Sequence, residues 1–328
     1  MKNNFTGVHI FVLLLLLIIG DRRFKTKNGQ FDFSNLKNKS ALYDPIKPDS
    51  EDDPRTYLGQ KPPGLKPEKF AAGLISKSDE HEFGSVFSED ATEFYYGVDI
   101  DGKAEIRFTR LDNGAWTPPE PLITHERFSF NDPFLSPGEE RLYYISNMPQ
   151  NGSTEPKDYD IWYSTRDDSG WSEPIHAGNS INTDANEYYI SFTEDGKIYF
   201  GSNFAAGEEA EYDYDIYRSK FENGIFQTPV RLDESINTRQ YEADVFISPD
   251  ESYMIFSSVR RDGLGRGDLF ISFKDKDGNW MEAKNMGELI NSTGHELCPF
   301  VTKDGSYFFY TSDGDIYWVD AGILRSYK

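Results

Sequence analysis

From about residue 70 onward the chain repeats one pattern five times, and this limits the possible folds more than any other feature. An apolar residue, then Ser or Thr, then a turn recurs at Phe87-Ser88-Glu89-Asp90, Leu135-Ser136-Pro137-Gly138, Phe192-Thr193-Glu194-Asp195, Ile247-Ser248-Pro249-Asp250 and Val301-Thr302-Lys303-Asp304. Successive Ser/Thr positions lie 48, 57, 55 and 54 residues apart. Each is followed by a short run rich in Tyr, Phe and Ile: Glu93–Tyr96, Arg141–Ser146, Lys197–Ser202, Ser252–Ser257 and Ser306–Ser312. A third mark opens on an acidic residue, at Glu105-Ile106, Asp160-Ile161-Trp162, Asp215-Ile216-Tyr217, Asp268-Leu269-Phe270 and Asp315-Ile316-Tyr317. A fourth is an aromatic after a Gly turn, at Trp116, Trp171, Phe226 and Trp280, and the fifth repeat stops before it. Such aromatic, β-branched runs read as strands. Asn113-Gly114, Asp195-Gly196, Asn223-Gly224, Asp277-Gly278 and Asp304-Gly305 supply the positive φ that tight turns require.

Four short strands per unit, at a period near 50, imply an all-β fold: a β-propeller of four-stranded blades. The repeat steps favour five blades; six would require residues 40–65 to contribute strands. The last unit holds three strands, and Pro67–Ile75 resembles the fourth-strand region Pro118–Ile123. That segment is expected to complete the last blade from the N-terminal side and cover a strand edge that would otherwise invite aggregation.

Ahead of the repeats, Val8–Ile19 is an apolar run of twelve residues. As a helix it would span about 18 Å, short of the roughly 30 Å hydrocarbon core but suited to an export signal. It exits into Asp21-Arg22-Arg23 with no small-x-small cleavage pattern, so an uncleaved anchor is the alternative. The chain divides into a signal peptide or N-terminal anchor (1–20), a Pro-rich extended linker (21–66) and the propeller (67–328). Export would place it in the periplasm or at the cell surface, with any membrane tether confined to the N-terminus. The 56 acidic and 34 basic side chains give a net charge of −22, which argues against nucleic acid and anionic membranes as partners. One cysteine excludes an intrachain disulfide.

Glu242 through Ile271, with Ser248-Pro249-Asp250, Phe256-Ser257-Ser258 and Asp268-Leu269-Phe270, resembles the WD-like repeats of bacterial TolB-type β-propellers. The stretch Tyr57–Gly64 is similar to the leader of exported propellers of Bacteroidetes type. The resemblance implies the propeller fold and an envelope setting. It covers families of binding modules, scaffolds and hydrolase-linked propellers, so it does not assign function. The turn departs from that pattern, because Ser-Pro-Asp-Gly is intact nowhere and Glu251 stands in place of Gly.

Candidate binding residues come from the rim at the start of each first strand. One repeat position holds Glu82, Phe130, Glu187, Glu242 and Glu296; the position before it holds His81, Ser129, Asn186, Tyr241 and His295. Four glutamates at one rim could take a cation or a polyhydroxylated ligand. The competing reading is that each accepts backbone N–H bonds at its own blade junction. His81 and His295 fall on blades that become neighbours on closure and are the weak candidates for a metal; Arg127 and Arg239 also break the symmetry. No cofactor is expected. No Gly-x-Ser-x-Gly elbow occurs, and Asp99–Gly102 and Asp275–Gly278 lack the ligands of a calcium loop and read as turns. Cys298 reads as a small core residue of the last blade. The insertions Met148–Tyr159 and Asn203–Tyr214 would project on one face and present tyrosines for stacking. The functional expectation is an exported propeller that binds a protein or glycan partner in the cell envelope. The rival is a glycan-acting hydrolase or lyase using rim Glu and His.

Overall fold

The computed structural model describes residues 56–205, 213–222 and 224–328. The signal or anchor segment, most of the linker and residues 206–212 of the second insertion lie outside them.

Five antiparallel sheets form five blades. Their innermost strands are His81–Phe87, Phe130–Leu135, Glu187–Phe192, Tyr241–Ile247 and Glu296–Val301. Second strands (Glu93–Ile100, Arg141–Ser146, Lys197–Ser202, Tyr253–Val259, Tyr307–Ser312) and third strands (Lys103–Asp112, Asp160–Asp167, Asp215–Glu222, Asp268–Phe273, Asp315–Asp320) follow in order. The fourth strand is short and outermost, and in blades 1 to 3 it is split in two, as with Ala115–Trp116 and Glu120–Ile123. In blade 5 it comes from the N-terminal side, where Glu68 and Lys69 pair with Trp318 and Tyr317. The five-bladed all-β reading and its N-terminal closure both hold.

The closing segment is locked by aromatic packing. Phe70 is fully buried, with ring centroids 5.7 and 5.2 Å from Phe87 and Phe94 of blade 1 and 5.1 Å from both Phe309 and Trp318 of blade 5. The docked body starts earlier than residue 67. Tyr57 packs on Phe87, Tyr307 and Trp318 at the seam between first and last blades, and its hydroxyl donates to Asp304. At the other end Ala321–Tyr327 forms a 3₁₀ helix that buries Ile323 and Leu324.

The residue after each turn mark is Ala91, Glu139, Gly196, Glu251 or Gly305, and all five have positive φ, between 53° and 82°. At two of the non-glycine positions the side chain is held by partners. Glu251 meets Lys197, Lys274 and Arg218, and Glu139 meets Lys303. The aspartate opening the third strand of blades 2 to 5 is likewise used inside its own blade. Asp160 meets His176, Asp215 meets Arg231, Asp268 meets Asn285 and Asp315 meets Lys69, each tying the third strand to the fourth.

Candidate functional site at the propeller axis

Every innermost strand carries a β-bulge at the same place, after Phe83, Asn131, Tyr188, Ala243 and Leu297. The bulged residue in each is left-handed: Gly84 (φ 54°), Asp132 (52°), Tyr189 (50°), Asp244 (50°) and Cys298 (51°). Four of the five carry a side chain in a conformation that glycine would adopt at least cost. A bulge turns its extra residue out of the ladder. Here all five turn inward and converge.

Asp132, Asp244 and Cys298, from blades 2, 4 and 5, are buried with their ligand atoms all within 4.8 Å of one another. The Cys298 thiol donates to Asp132 Oδ1 at 3.3 Å. Tyr189 is fully enclosed beside them, its hydroxyl donating to the Pro299 carbonyl at 2.7 Å. Gly84 completes the ring, and a Cβ there would lie 2.9 Å from Asp132 Oδ1. Blade 1 therefore makes room for the carboxylate of blade 2.

Two residues further along, each strand supplies the layer beneath: Val86, Phe134, Ser191, Phe246 and Phe300. Phe134 and Phe300 stack edge to face at 5.9 Å across the axis, and Phe246 meets Phe300 at 6.1 Å. Below this floor Lys303 of blade 5 reaches Glu139 and the Pro137 carbonyl of blade 2. The axial cluster thus rests on an aromatic floor, and its approach is from the opposite side.

That side is lined by tyrosines. Tyr159, Tyr188, Tyr214 and Tyr241 form a chain with centroid spacings of 5.1, 5.6 and 5.4 Å. Tyr159 and Tyr214 close the two insertions, and their carbonyls accept the N–H of Glu187 and Glu242. At the equivalent junctions further round stand Gly267 and Gly314, which accept from Glu296 and Glu82. The mouth is therefore aromatic over blades 2 to 4, while His295 and His81 lie against the two glycines over blades 5 and 1.

Burial raises the carboxyl pKa of both Asp132 and Asp244, and the nearby Asp132 charge pushes Asp244 further. Burial, then Asp132, pushes the Cys298 thiol well above its usual range. No Lys, Arg or His acts on any of the three. Tyr159, Tyr188 and Tyr241 are raised too, first by burial.

Of the rim residues expected from sequence, Tyr241 alone belongs to this mouth. The four glutamates are wholly buried and do not face the rim. Glu187 accepts from Thr183 N–H and Oγ1 and from Ser202; Glu242 from Thr238 N–H and Oγ1 and from Ser258; Glu296 from Ser292 N–H and Oγ and from Ser312. They are junction clamps, as the competing reading has it. Glu82 lacks the serine, where Val98 stands instead, and accepts only from Lys77 N–H with Oε2 left without a partner. Burial raises its pKa to about 7. His295 lies against Gly267 and His81 against Gly314, so the structure places them on successive junctions. The metal-capable grouping among the described residues includes neither. Arg127 reaches Thr154 O on the first insertion, and Arg239 is exposed.

Fold and site together define the class: a five-bladed β-propeller that gathers two carboxylates and a thiol on its axis, under a tyrosine-lined mouth. No family profile matches the chain, and no curated protein sequence does. Among solved structures it is similar to TolB from Acinetobacter baumannii, with 17% identity, a TM-score of 0.45, 72% of this chain and 53% of that one. It thus spans about half the length of that TolB chain. A protein of unknown function from Dyadobacter fermentans gives 13% identity and a TM-score of 0.46 over 79% of this chain and 83% of that one. The catalytic domain of a GH62 α-L-arabinofuranosidase from Coprinopsis cinerea gives 12% and 0.45 over 78% and 97%.

Proposed function

We propose that this protein is a binding propeller of the cell envelope, non-catalytic by itself, that takes a hydroxyl-rich glycan at the axial mouth. The observation that carries this reading is the run of four tyrosines over one side of the axis, three of them half-buried. Aromatic faces stack on the apolar faces of sugars while their hydroxyls offer hydrogen bonds. Rings set by strand ends and blade junctions are pre-ordered, which lowers the entropy lost on binding. The envelope setting rests on the Val8–Ile19 run. No helix among the described residues is long and apolar enough to cross a membrane.

The hydrolase alternative needs two carboxylates about 5 to 9.5 Å apart with a glycosidic bond between them. Asp132 and Asp244 instead converge on one point that they share with a thiol, with every pair of ligand atoms within 4.8 Å. The rim glutamates on which that alternative rests are wholly buried, which favours the binding reading.

Calorimetry of the purified protein against soluble envelope polysaccharides tests the proposal. Binding that falls at least about 10-fold in Tyr188→Ala and Tyr241→Ala, with unchanged melting, is the expected result. Absence of binding to any polysaccharide, or binding indifferent to both substitutions, overturns it.

A further inference from the structure

Two buried carboxylates that converge without a cation repel one another unless a proton or a metal ion lies between them. Among the described residues, no side chain at the axis supplies that cation. A third donor, the thiol of Cys298, already stands 3.3 Å from Asp132 Oδ1. Asp244 provides a separate pointer: its side chain is more than nine-tenths buried, aimed into the same space, and no side chain donates to it. Among the described residues, the backbone N–H of Cys298 is the one donor that acts on its carboxyl.

We propose that the axial cluster is a zinc-class metal site, with Asp132, Asp244 and Cys298 as its three protein ligands. The donor set selects the metal. A thiolate among the ligands disfavours Ca²⁺ and Mg²⁺, which take oxygen alone, whereas Zn²⁺ accepts carboxylate and thiolate together. Tetrahedral Zn²⁺ with bonds of about 2.0 Å to oxygen and 2.3 Å to sulfur holds its ligand atoms about 3.3 to 3.5 Å apart. Asp132 and Cys298 stand at that separation already, and the remaining pairs need at most a small side-chain rotation from within 4.8 Å. The aromatic floor closes the site below, so the fourth position faces the tyrosine mouth and is available to water or to an oxygen of a bound ligand. On binding, the thiol and carboxyl protons leave to solvent as the metal takes their place. The site is independent of the glycan proposal, because metal uptake requires none of the four tyrosines.

The test uses the tag-free full chain, stripped of metal with a chelator. Zn²⁺ is titrated by calorimetry and Co²⁺ by absorbance. The expected result is one equivalent of Zn²⁺, and with Co²⁺ a near-ultraviolet thiolate-to-metal band that Cys298→Ser abolishes. Asp244→Asn should weaken Zn²⁺ binding by more than about 10-fold. It should also melt higher than the wild type without metal and lower than the wild type with Zn²⁺, since it removes the charge repulsion and a ligand at once. Stoichiometry and the cobalt spectrum of the wild type decide the matter even if a variant folds poorly. Substoichiometric uptake, a cobalt complex without the thiolate band, or Zn²⁺ affinity unchanged in Asp244→Asn would overturn the proposal. Tyr188→Ala keeping full zinc uptake while losing glycan would separate the two sites.

Discussion

Removing one ring from the closing segment tests how the propeller is held shut. Phe70 is fully buried and touches two aromatic rings of blade 1 and two of blade 5, at centroid distances of 5.1 to 5.7 Å. Its N–H also donates to Ile316 O at 2.8 Å, a bond that alanine would keep. Phe70→Ala therefore isolates the ring. A buried Phe→Ala change costs about 3–5 kcal/mol, from lost transfer energy and the cavity left behind. The upper part of that range applies here, because the walls are strands of two different blades and cannot collapse without opening the seam. In a domain of this size, each kcal/mol lowers Tm by roughly 2–4 °C, so about 4–5 kcal/mol gives an expected fall of roughly 8–20 °C. Urea unfolding followed by tryptophan fluorescence gives the free energy, with Trp318 beside Phe70 as a local probe. Glu68→Ala, at an exposed position of the same strand, is the control and should stay within about 0.5 kcal/mol. If Phe70→Ala loses less than about 1 kcal/mol with an unchanged denaturant slope, the seam is not held by this cluster. The blade 5 hydrogen bonds would then have to suffice.

Three further outcomes follow from the junctions and the axis. Burial raises the Glu187 pKa to about 8, above its unfolded value near 4.5, so the stability it confers is complete below pH 4.5 and declines as pH rises toward 8; thermal melts should show Glu187→Gln gaining on the wild type between pH 5 and pH 9, and a wild type that gains instead would refute this. Gly84→Ala should destabilise by about 1–3 kcal/mol in urea unfolding, since its Cβ would meet Asp132 at 2.9–3.0 Å; an unchanged midpoint would mean that the Asp132 side chain and backbone can move aside. Ser191 Oγ donates to Val245 O and accepts from Ile247 N–H, bridging blades 3 and 4, so Ser191→Ala should lose about 1–3 kcal/mol by leaving two buried backbone groups unpaired, measured the same way; no loss would show that the bridge is dispensable.

The architecture was legible because the repeat marks are local. Turn residues, strand runs and the opening Asp each act within one blade, so spacing alone orders them, and the missing fourth strand of the last unit pointed to Pro67–Ile75. The site was legible only in part. Reading each first strand as straight put the glutamates and the residues before them at the rim. The bulge changes the outcome: it adds a residue, turns Gly84, Asp132, Tyr189, Asp244 and Cys298 to the axis, and leaves the glutamates inside the junctions. These five comprise four residue types, so no repeat signal marks them. The one available clue was charge, since Asp132 and Asp244 interrupt otherwise apolar strands two residues after the Phe130 and Glu242 landmark. The tyrosine mouth was half visible, because the two insertions ended on Tyr159 and Tyr214 but nothing showed that they meet Tyr188 and Tyr241.

That contrast between marked and unmarked positions bears on where activity lies. A side chain that bonds across a junction is constrained by the fold at every blade, as the Glu–Thr/Ser–Ser clamps of blades 3 to 5 show. At the axis no junction bond is required, and the packing demand is only that the space be filled. The layer beneath meets that demand largely with Phe134, Phe246 and Phe300. Continuing it upward with apolar residues would spare the fold two buried acids whose ionised forms are each penalised by desolvation and by one another. Under the metal-site proposal, this polar layer is accounted for by what it binds and not by what it packs. The argument is exposed to one measurement. If Asp132→Leu combined with Asp244→Leu destabilises the metal-free protein in urea unfolding, the acids serve packing or hydrogen bonding after all; the expectation here is a gain, within the roughly 1–4 kcal/mol seen when buried ionic groups give way to apolar ones.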